Sequence, residues 1–208
     1  MIYDTLEKAI TENYSMLLIF TVVIVSIRIV YLIVNKEKFI FYKELISFAF
    51  LLYSLLLFYV VTFQDINYGT NNFVPFKEIF RYELGSKVFI HNIIGNIILF
   101  IPFGFFVSTI LKTKKVLPIL FLSLVTSSVI EYTQLLIGRT FDIDDIILNL
   151  CGSLIGYIIY LFLITIIDHV PKIFNTNLFK NIMVIILILV FILIYFKSSL
   201  WGILRWEK

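Results

Sequence analysis

The sequence predicts an all-α, polytopic transmembrane helix bundle of about six spans, and three observations predict it. Of 208 residues, 61% are apolar and only 15% charged, against roughly 45–50% and 25% in soluble domains. The mean hydropathy is +1.01. The apolar residues run in continuous stretches of the roughly 20 residues that cross about 30 Å of hydrocarbon. Barrel strands would instead alternate apolar and polar over ~10 residues. A soluble enzyme and a disordered chain are excluded, and the single cysteine, Cys151, excludes a disulfide framework. The net charge of +3 is spread over mixed signs with no basic face, so no nucleic-acid partner is expected.

The spans are read in order as Tyr14–Val34, Leu45–Phe63, Val88–Leu111, Val116–Ile137, Ile146–Ile167, and Ile182 to about Phe196 or Leu200. The first has acidic flanks (Asp4, Glu7, Glu12) and no small-residue cleavage site, so it reads as a retained helix rather than a signal peptide. Arg28 near its end is expected to snorkel to the interface. Between spans two and three, Pro75 and an amphipathic stretch from Lys77 to Leu84 predict a short interfacial helix. The chain divides at residue 44: an additional N-terminal helix with a cytoplasmic loop (1–44), then the main helical membrane domain (45–200).

The two alternating sets of loops and tails carry eight basic residues apiece, so the tie is broken by loop length. The short loops holding Lys36, Lys38 and Lys43, and Lys112, Lys114 and Lys115, are where the positive-inside rule acts most strongly. The other set is diluted by acid, including Asp65, Glu78, Glu83 and Asp142. Both termini are therefore expected outside, although Trp201 and Trp206 in the tail would anchor at either interface.

The polar interruptions carry the information. Span three opens with His91, Asn92 and Asn96; the two asparagines are i, i+4 and share a face. Span four closes with Glu131 and Gln134. The next loop holds Asp142, Asp144 and Asp145, and Asn149 follows Asp145 by four. Span three starts, span four ends and span five starts on one side, so all these groups lie in one leaflet. At 1.5 Å per residue, Glu131 lies roughly 9 Å and Asn96 roughly 12 Å below that surface. A polar pocket open to one face, outward in the favoured orientation, is the expectation.

Each residue also has a plainer reading. Polar groups in spans bond neighbouring helices at about 0.6 kcal/mol per contact. Asp142 is a candidate helix N-cap. Pro102 kinks span three or is tolerated there. Gly152 and Gly156 form a small-xxx-small packing pair, Cys151 reads as a small packing residue, and His169 as a solvated loop histidine.

Three blocks resemble the VanZ-like family of bacterial membrane proteins: FVPF at Phe73–Phe76, NIIGNIILFIPFGF from Asn92 to Phe105, and SVIEYTQ through DIDDIILNLCGSLIGY between Ser128 and Tyr157. The resemblance covers roughly residues 45–167. Family motif positions fall on Asn96, Pro102, Gly104, Glu131, Gln134, Asp142, Asp145 and Asn149. It implies a cell-envelope role in a multi-pass membrane protein, and the founding member's association with low-level teicoplanin resistance. It implies no established reaction.

Three functions follow. In the first, a non-catalytic envelope protein uses the pocket to bind a lipid, a lipid-linked cell-wall precursor or a lipoglycopeptide. In the second, a membrane enzyme acts on such a precursor with Glu131, Asp145 and His91; no nucleophile or HExxH spacing supports it. No cofactor is expected, although hard oxygen ligands would suit Mg²⁺ or Ca²⁺ better than zinc. In the third, a proton-coupled transporter would need the polar path to continue through the inner halves of spans three to five, which read as almost wholly apolar.

Overall fold

The computed structural model describes residues 14–62, 70–169, 171 and 175–190. The tail carrying Trp201 and Trp206, the acidic residues Asp4, Glu7 and Glu12, and Asp65 lie outside the described residues. The described residues are helical apart from short loops, and five helices are long and apolar enough to cross a membrane. They are α1 (Tyr14–Val34), α2 (Phe41–Thr62), α4 (Lys87–Leu111), α5 (Leu117–Leu136) and α6 (Ile143–His169). Between α2 and α4 sits the short α3 (Lys77–Arg81). A further apolar helix, α7 (Asn177–Val190), stands where the sixth span is expected, and the rest of that span lies outside the described residues.

The expected boundaries shift at two places. Span two begins at Phe41 rather than Leu45, so a division after Glu44 falls inside the first turn of α2. Span five begins at Ile143, because Asp144 and Asp145 occupy its first turn, where carboxylates meet the unpaired amides and the positive end of the helix dipole. Arg28 does more than snorkel. Its Nε and Nη2 donate to Glu44 at 2.8 and 2.9 Å, pinning α1 to the start of α2, and Glu37 lies 3.6 Å away. The flanks of α1 are otherwise exposed apolar side chains suited to lipid.

The centre of the bundle is the α4–α6 pair. These helices run parallel: Asn96 meets Asp145 near their N-termini, and Gly104 meets Ser153 two turns on. Three glycines bring the backbones together. A Cβ on Gly152 would collide with the Ile97 carbonyl, one on Gly156 with the Ile101 carbonyl, and one on Gly104 with the Ser153 backbone. The small-xxx-small reading of Gly152 and Gly156 is a packing seam in fact, with Gly104 as its third member. Cys151, expected inside, is on the exposed face of α6, because packing selects the glycine beside it. Around the pair, Leu57 of α2, Phe100, Phe103 and Val107 of α4, Ile119 of α5 and Tyr157 of α6 form the core.

Helix α4 contains two irregularities. Ile90–Ile94 forms a π-helical turn, and Pro102 lies within the helix, which continues through it. Proline removes one backbone donor and crowds the preceding turn. One turn before it, the Leu99 carbonyl accepts the Tyr53 hydroxyl of α2 at 2.7 Å.

Beyond the polar cluster, the spans are less apolar than expected. Ser108, Ser123, Ser127 and Ser153 are all fully buried. Ser123 and Ser153 bond each other at 2.7 Å, Ser108 donates to Gly104 O at 2.6 Å, and the Tyr157 hydroxyl donates to Lys114 O at 2.8 Å on the far side. Serine is small enough to sit in a close helix contact, so hydropathy does not reveal it as a polar seam.

Candidate functional site

The site forms where the start of α4, the end of α5 and the start of α6 meet beneath the 70–86 loop. Helix α5 ends at Leu136, and two residues on stands Gly138, whose φ of 87° is open to glycine at little cost. This turns the chain so that Arg139 N donates back to Gln134 O at 2.9 Å. Asp142 then opens α6 as its N-cap, accepting from Asp144 N at 2.9 Å. Its own N–H donates to Glu131 Oε2 at 2.9 Å, so a carboxylate on α5 fixes the start of α6. Glu131 is 1% exposed. With its amide oriented by the surrounding donors and acceptors, Gln134 donates to Glu131 Oε1 at 2.9 Å and accepts from Arg139 at 2.8 Å.

Asp145 faces α4 and accepts from Asn96 Nδ2 at 2.5 Å. Asn149, one turn deeper and 4% exposed, donates to Ser127 Oγ at 2.8 Å. Its Oδ1 is buried with no hydrogen-bond partner.

The loop above is stitched to this floor by Asn72, which is 4% exposed. Its backbone N–H donates to Phe141 O at 2.8 Å and its carbonyl accepts from Ile143 N at 3.0 Å. Its side chain donates to Asp142 Oδ1 at 2.8 Å and accepts from Val74 N at 3.1 Å. Phe73 stacks on Phe141 with ring centroids 5.1 Å apart. Pro75 then leads into Phe76, a non-glycine residue at φ 68°. Asp144 holds that conformation. It accepts from Phe76 N, from Glu78 N at 2.7 Å and from Ile79 N at 3.2 Å. A carboxylate from α6 thus caps α3, 1% exposed and satisfied by three amides. The far end of α3 is tied down by Tyr82, whose hydroxyl accepts from Asn92 at 3.2 Å and bonds Glu78 at 3.3 Å.

Beneath α3 lies a cavity of about 630 Å³. Its upper wall is predominantly polar, with Asn72, Glu78, Arg81, Tyr82, His91, Asn92, Asn96, Arg139, Asp142 and Asp145 beside Ile79, Ile93 and Phe141. Its lower wall is apolar, from Leu56, Leu57 and Val60 of α2 and Ile98, Leu99 and Pro102 of α4. A chamber of about 40 Å³ adjoins it, lined by Glu131, Gln134 and Asn149, with Asn96, Arg139 and Asp145 on both walls.

The eight residues singled out from the sequence therefore all border the two cavities. His91, Asn92, Asn96, Asp142 and Asp145 line the larger one, with His91 exposed; Glu131, Gln134 and Asn149 line the smaller. Sequence reading passes over Asn72, Tyr82, Arg139 and Ser127, and gives Asp144 no role beyond its place in the acidic loop. Asp144 was visible as one of three clustered acids. Its partners 65–68 residues away were not. Among the described residues, no three His, Cys, Asp or Glu side chains group to hold a metal ion.

Asp142, in the loop outside the spans, has its carboxyl raised above the ordinary value of 3.8. Burial is the largest cause. The Asp144 amide and Asn72 oppose it, and the charges of Asp144 and Glu78 add to it. A raised folded-state value means the native protein holds this proton more tightly than the unfolded chain. The stabilisation is complete below 3.8 and is lost as pH rises through the folded value. Asp142→Asn, which keeps a capping oxygen, should shallow the fall of melting temperature across that window, as measured by thermal unfolding in detergent over a pH series.

Apolar helices of spanning length, sidedness shared by four polar segments and a cavity at one end define a multi-pass membrane helix bundle with a polar-headed pocket. A family model described as VanZ/LLP1 matches residues 50–166, more than half of the chain. The chain belongs to the VanZ/LLP1 family, and α1 precedes the matched region. No curated protein matches the chain, and no solved structure does.

Proposed function

We propose that this VanZ-like membrane protein acts in the cell envelope by binding a lipid or another amphiphile in its larger cavity, with the cavity open to the outer face. We further propose that this lowers susceptibility to teicoplanin-like glycopeptides. The cavity's division into a polar upper wall and an apolar lower wall carries the reading. A volume near 630 Å³ falls within the usual 300–1,000 Å³ of small-molecule pockets. The outward direction rests on the lysines at the other end of the bundle, in the α1–α2 and α4–α5 loops. A membrane-anchored precursor or lipoglycopeptide would present its headgroup at the depth of Asn92 and Asn96.

The test is glycopeptide susceptibility in a Gram-positive host with and without the protein. A rise in tolerance to teicoplanin, with vancomycin unchanged, is expected. Equal susceptibility to both drugs with and without the protein would contradict the resistance role.

A further inference from the structure

The end of the bundle away from the cavity gathers donors and positive charge. Helices α2 and α7 both begin there and are joined at Tyr42. The Tyr42 backbone N–H donates to Asn181 Oδ1 at 3.0 Å, and its hydroxyl donates to Asn177 Oδ1 at 3.3 Å. The two asparagines are i, i+4 and share the face of α7 that meets α2. Two ammoniums approach the same ring. Lys43 Nζ of α2 lies 5.9 Å from the Tyr42 centroid, and Lys180 Nζ of α7 lies 5.7 Å from it.

This positive charge has no carboxylate to balance it. Among the described residues, no Asp or Glu lies within ion-pair distance of Lys43 or Lys180. Glu44, in the first turn of α2, is spent on Arg28 at 2.8 Å. Attraction to the Tyr42 ring holds each ammonium in place but leaves its charge uncompensated. The starts of α2 and α7 add the positive ends of two helix dipoles. A backbone N–H can only donate, so it fixes the Asn181 oxygen toward Tyr42 and turns the Asn181 NH₂ away as a further donor.

We propose that Lys43, Lys180 and the Asn181 amide bind the phosphodiester of an anionic phospholipid, which clamps α7 to α2 in the leaflet opposite the cavity. A phosphodiester brings one negative charge and acceptor oxygens only, the complement of a set of donors. A zwitterionic lipid carries its own ammonium, which the two lysines repel. Phe39, Leu178 and Ile182, next to these residues in the chain, are exposed and apolar, as contact with acyl chains requires. A soluble anion would use the lysines and none of that apolar surface. The site is independent of what the cavity holds.

The test titrates the purified full chain in detergent with phosphatidylglycerol or phosphatidylcholine of matched acyl chains, or with inorganic phosphate. Native mass spectrometry reads binding, and thermal unfolding reads stabilisation. Phosphatidylglycerol should bind at least about tenfold more tightly than phosphatidylcholine, as two lysines at a lipid surface supply, and should raise the melting temperature. Lys43→Gln combined with Lys180→Gln should erase the preference. Asn181→Asp keeps the acceptor for the Tyr42 amide, adds a negative charge and should erase it too, which separates lost recognition from lost folding. Lys112→Gln combined with Lys115→Gln removes as much charge from the same end of the bundle and should leave the preference intact. Equal binding of the two lipids to wild type would overturn the proposal. So would an equal loss in the Lys112 and Lys115 variant, which would show diffuse attraction to a basic face. A melting shift with inorganic phosphate as large as with phosphatidylglycerol would assign the site to a free anion, against the lipid.

Discussion

Gly104→Val is expected to be the most disruptive single substitution in the bundle. A Cβ at this position would occupy the space of the Ser153 backbone, and backbone cannot rotate aside as a side chain can. The α4–α6 pair would have to separate, opening the Gly152 and Gly156 contacts and loosening Phe100 and Phe103 in the core. Overpacking a tight contact costs typically 1–3 kcal/mol, and a backbone-on-backbone clash belongs at the upper end, about 3 kcal/mol. Thermal unfolding in detergent, with membrane yield beside it, measures this. Cys151→Val is the control: it places the same β-branched side chain on the exposed face of α6 and should leave both readouts near wild type. Equal loss in the two variants would show that α6 tolerates no added bulk anywhere, against the packing seam.

Asp144→Ala should be nearly as damaging, and for an electrostatic reason. The carboxylate accepts three amides from the start of α3, and its removal leaves them without a partner at a buried position. Each orphaned donor costs about 1–3 kcal/mol, and water near the surface recovers part of it, giving about 2–4 kcal/mol in all. Phe76 would also lose what holds it at φ 68°. Asp144→Asn retains one acceptor oxygen and should fall between the two. The order wild type, Asn, Ala in melting temperature checks the claim. An alanine variant as stable as wild type would mean that α3 is held over the cavity by something other than this cap.

Much of this architecture is legible in the sequence because membranes impose length. The bounds of α1 match those read from the sequence, and those of α4 and α5 fall within a residue of them, since twenty apolar residues between charges leave little choice. The clustering of Asn96, Glu131, Asp145 and Asn149 also follows from topology alone. What escapes is pairing at long range. Asp144 and Asp145 are adjacent acids of the same type, and only the fold makes one a cap for α3 and turns the other toward Asn96. Arg28 reads as a snorkelling side chain until Glu44, 16 residues on, is brought to it by the turn at Lys36. The buried serines are lost in hydropathy, although they carry hydrogen bonds between and within helices past the middle of the bundle. At 1.5 Å per residue, Ser123 lies roughly 9 Å from the opposite end of α5. The polar pattern therefore reaches further than one leaflet, as closed hydrogen bonds within the packing.

The central claim is that function resides in the cavity and its buried carboxylates. Glu131→Gln tests it most directly, because glutamine keeps the acceptor for the Asp142 amide and changes the charge beside Arg139. Teicoplanin susceptibility should be compared in a host making wild type or Glu131→Gln at matched membrane levels, with vancomycin alongside. The account predicts that the tolerance conferred by wild type is lost in the variant while the protein remains in the membrane. Full tolerance in Glu131→Gln at equal abundance would contradict it and move the function away from this cavity.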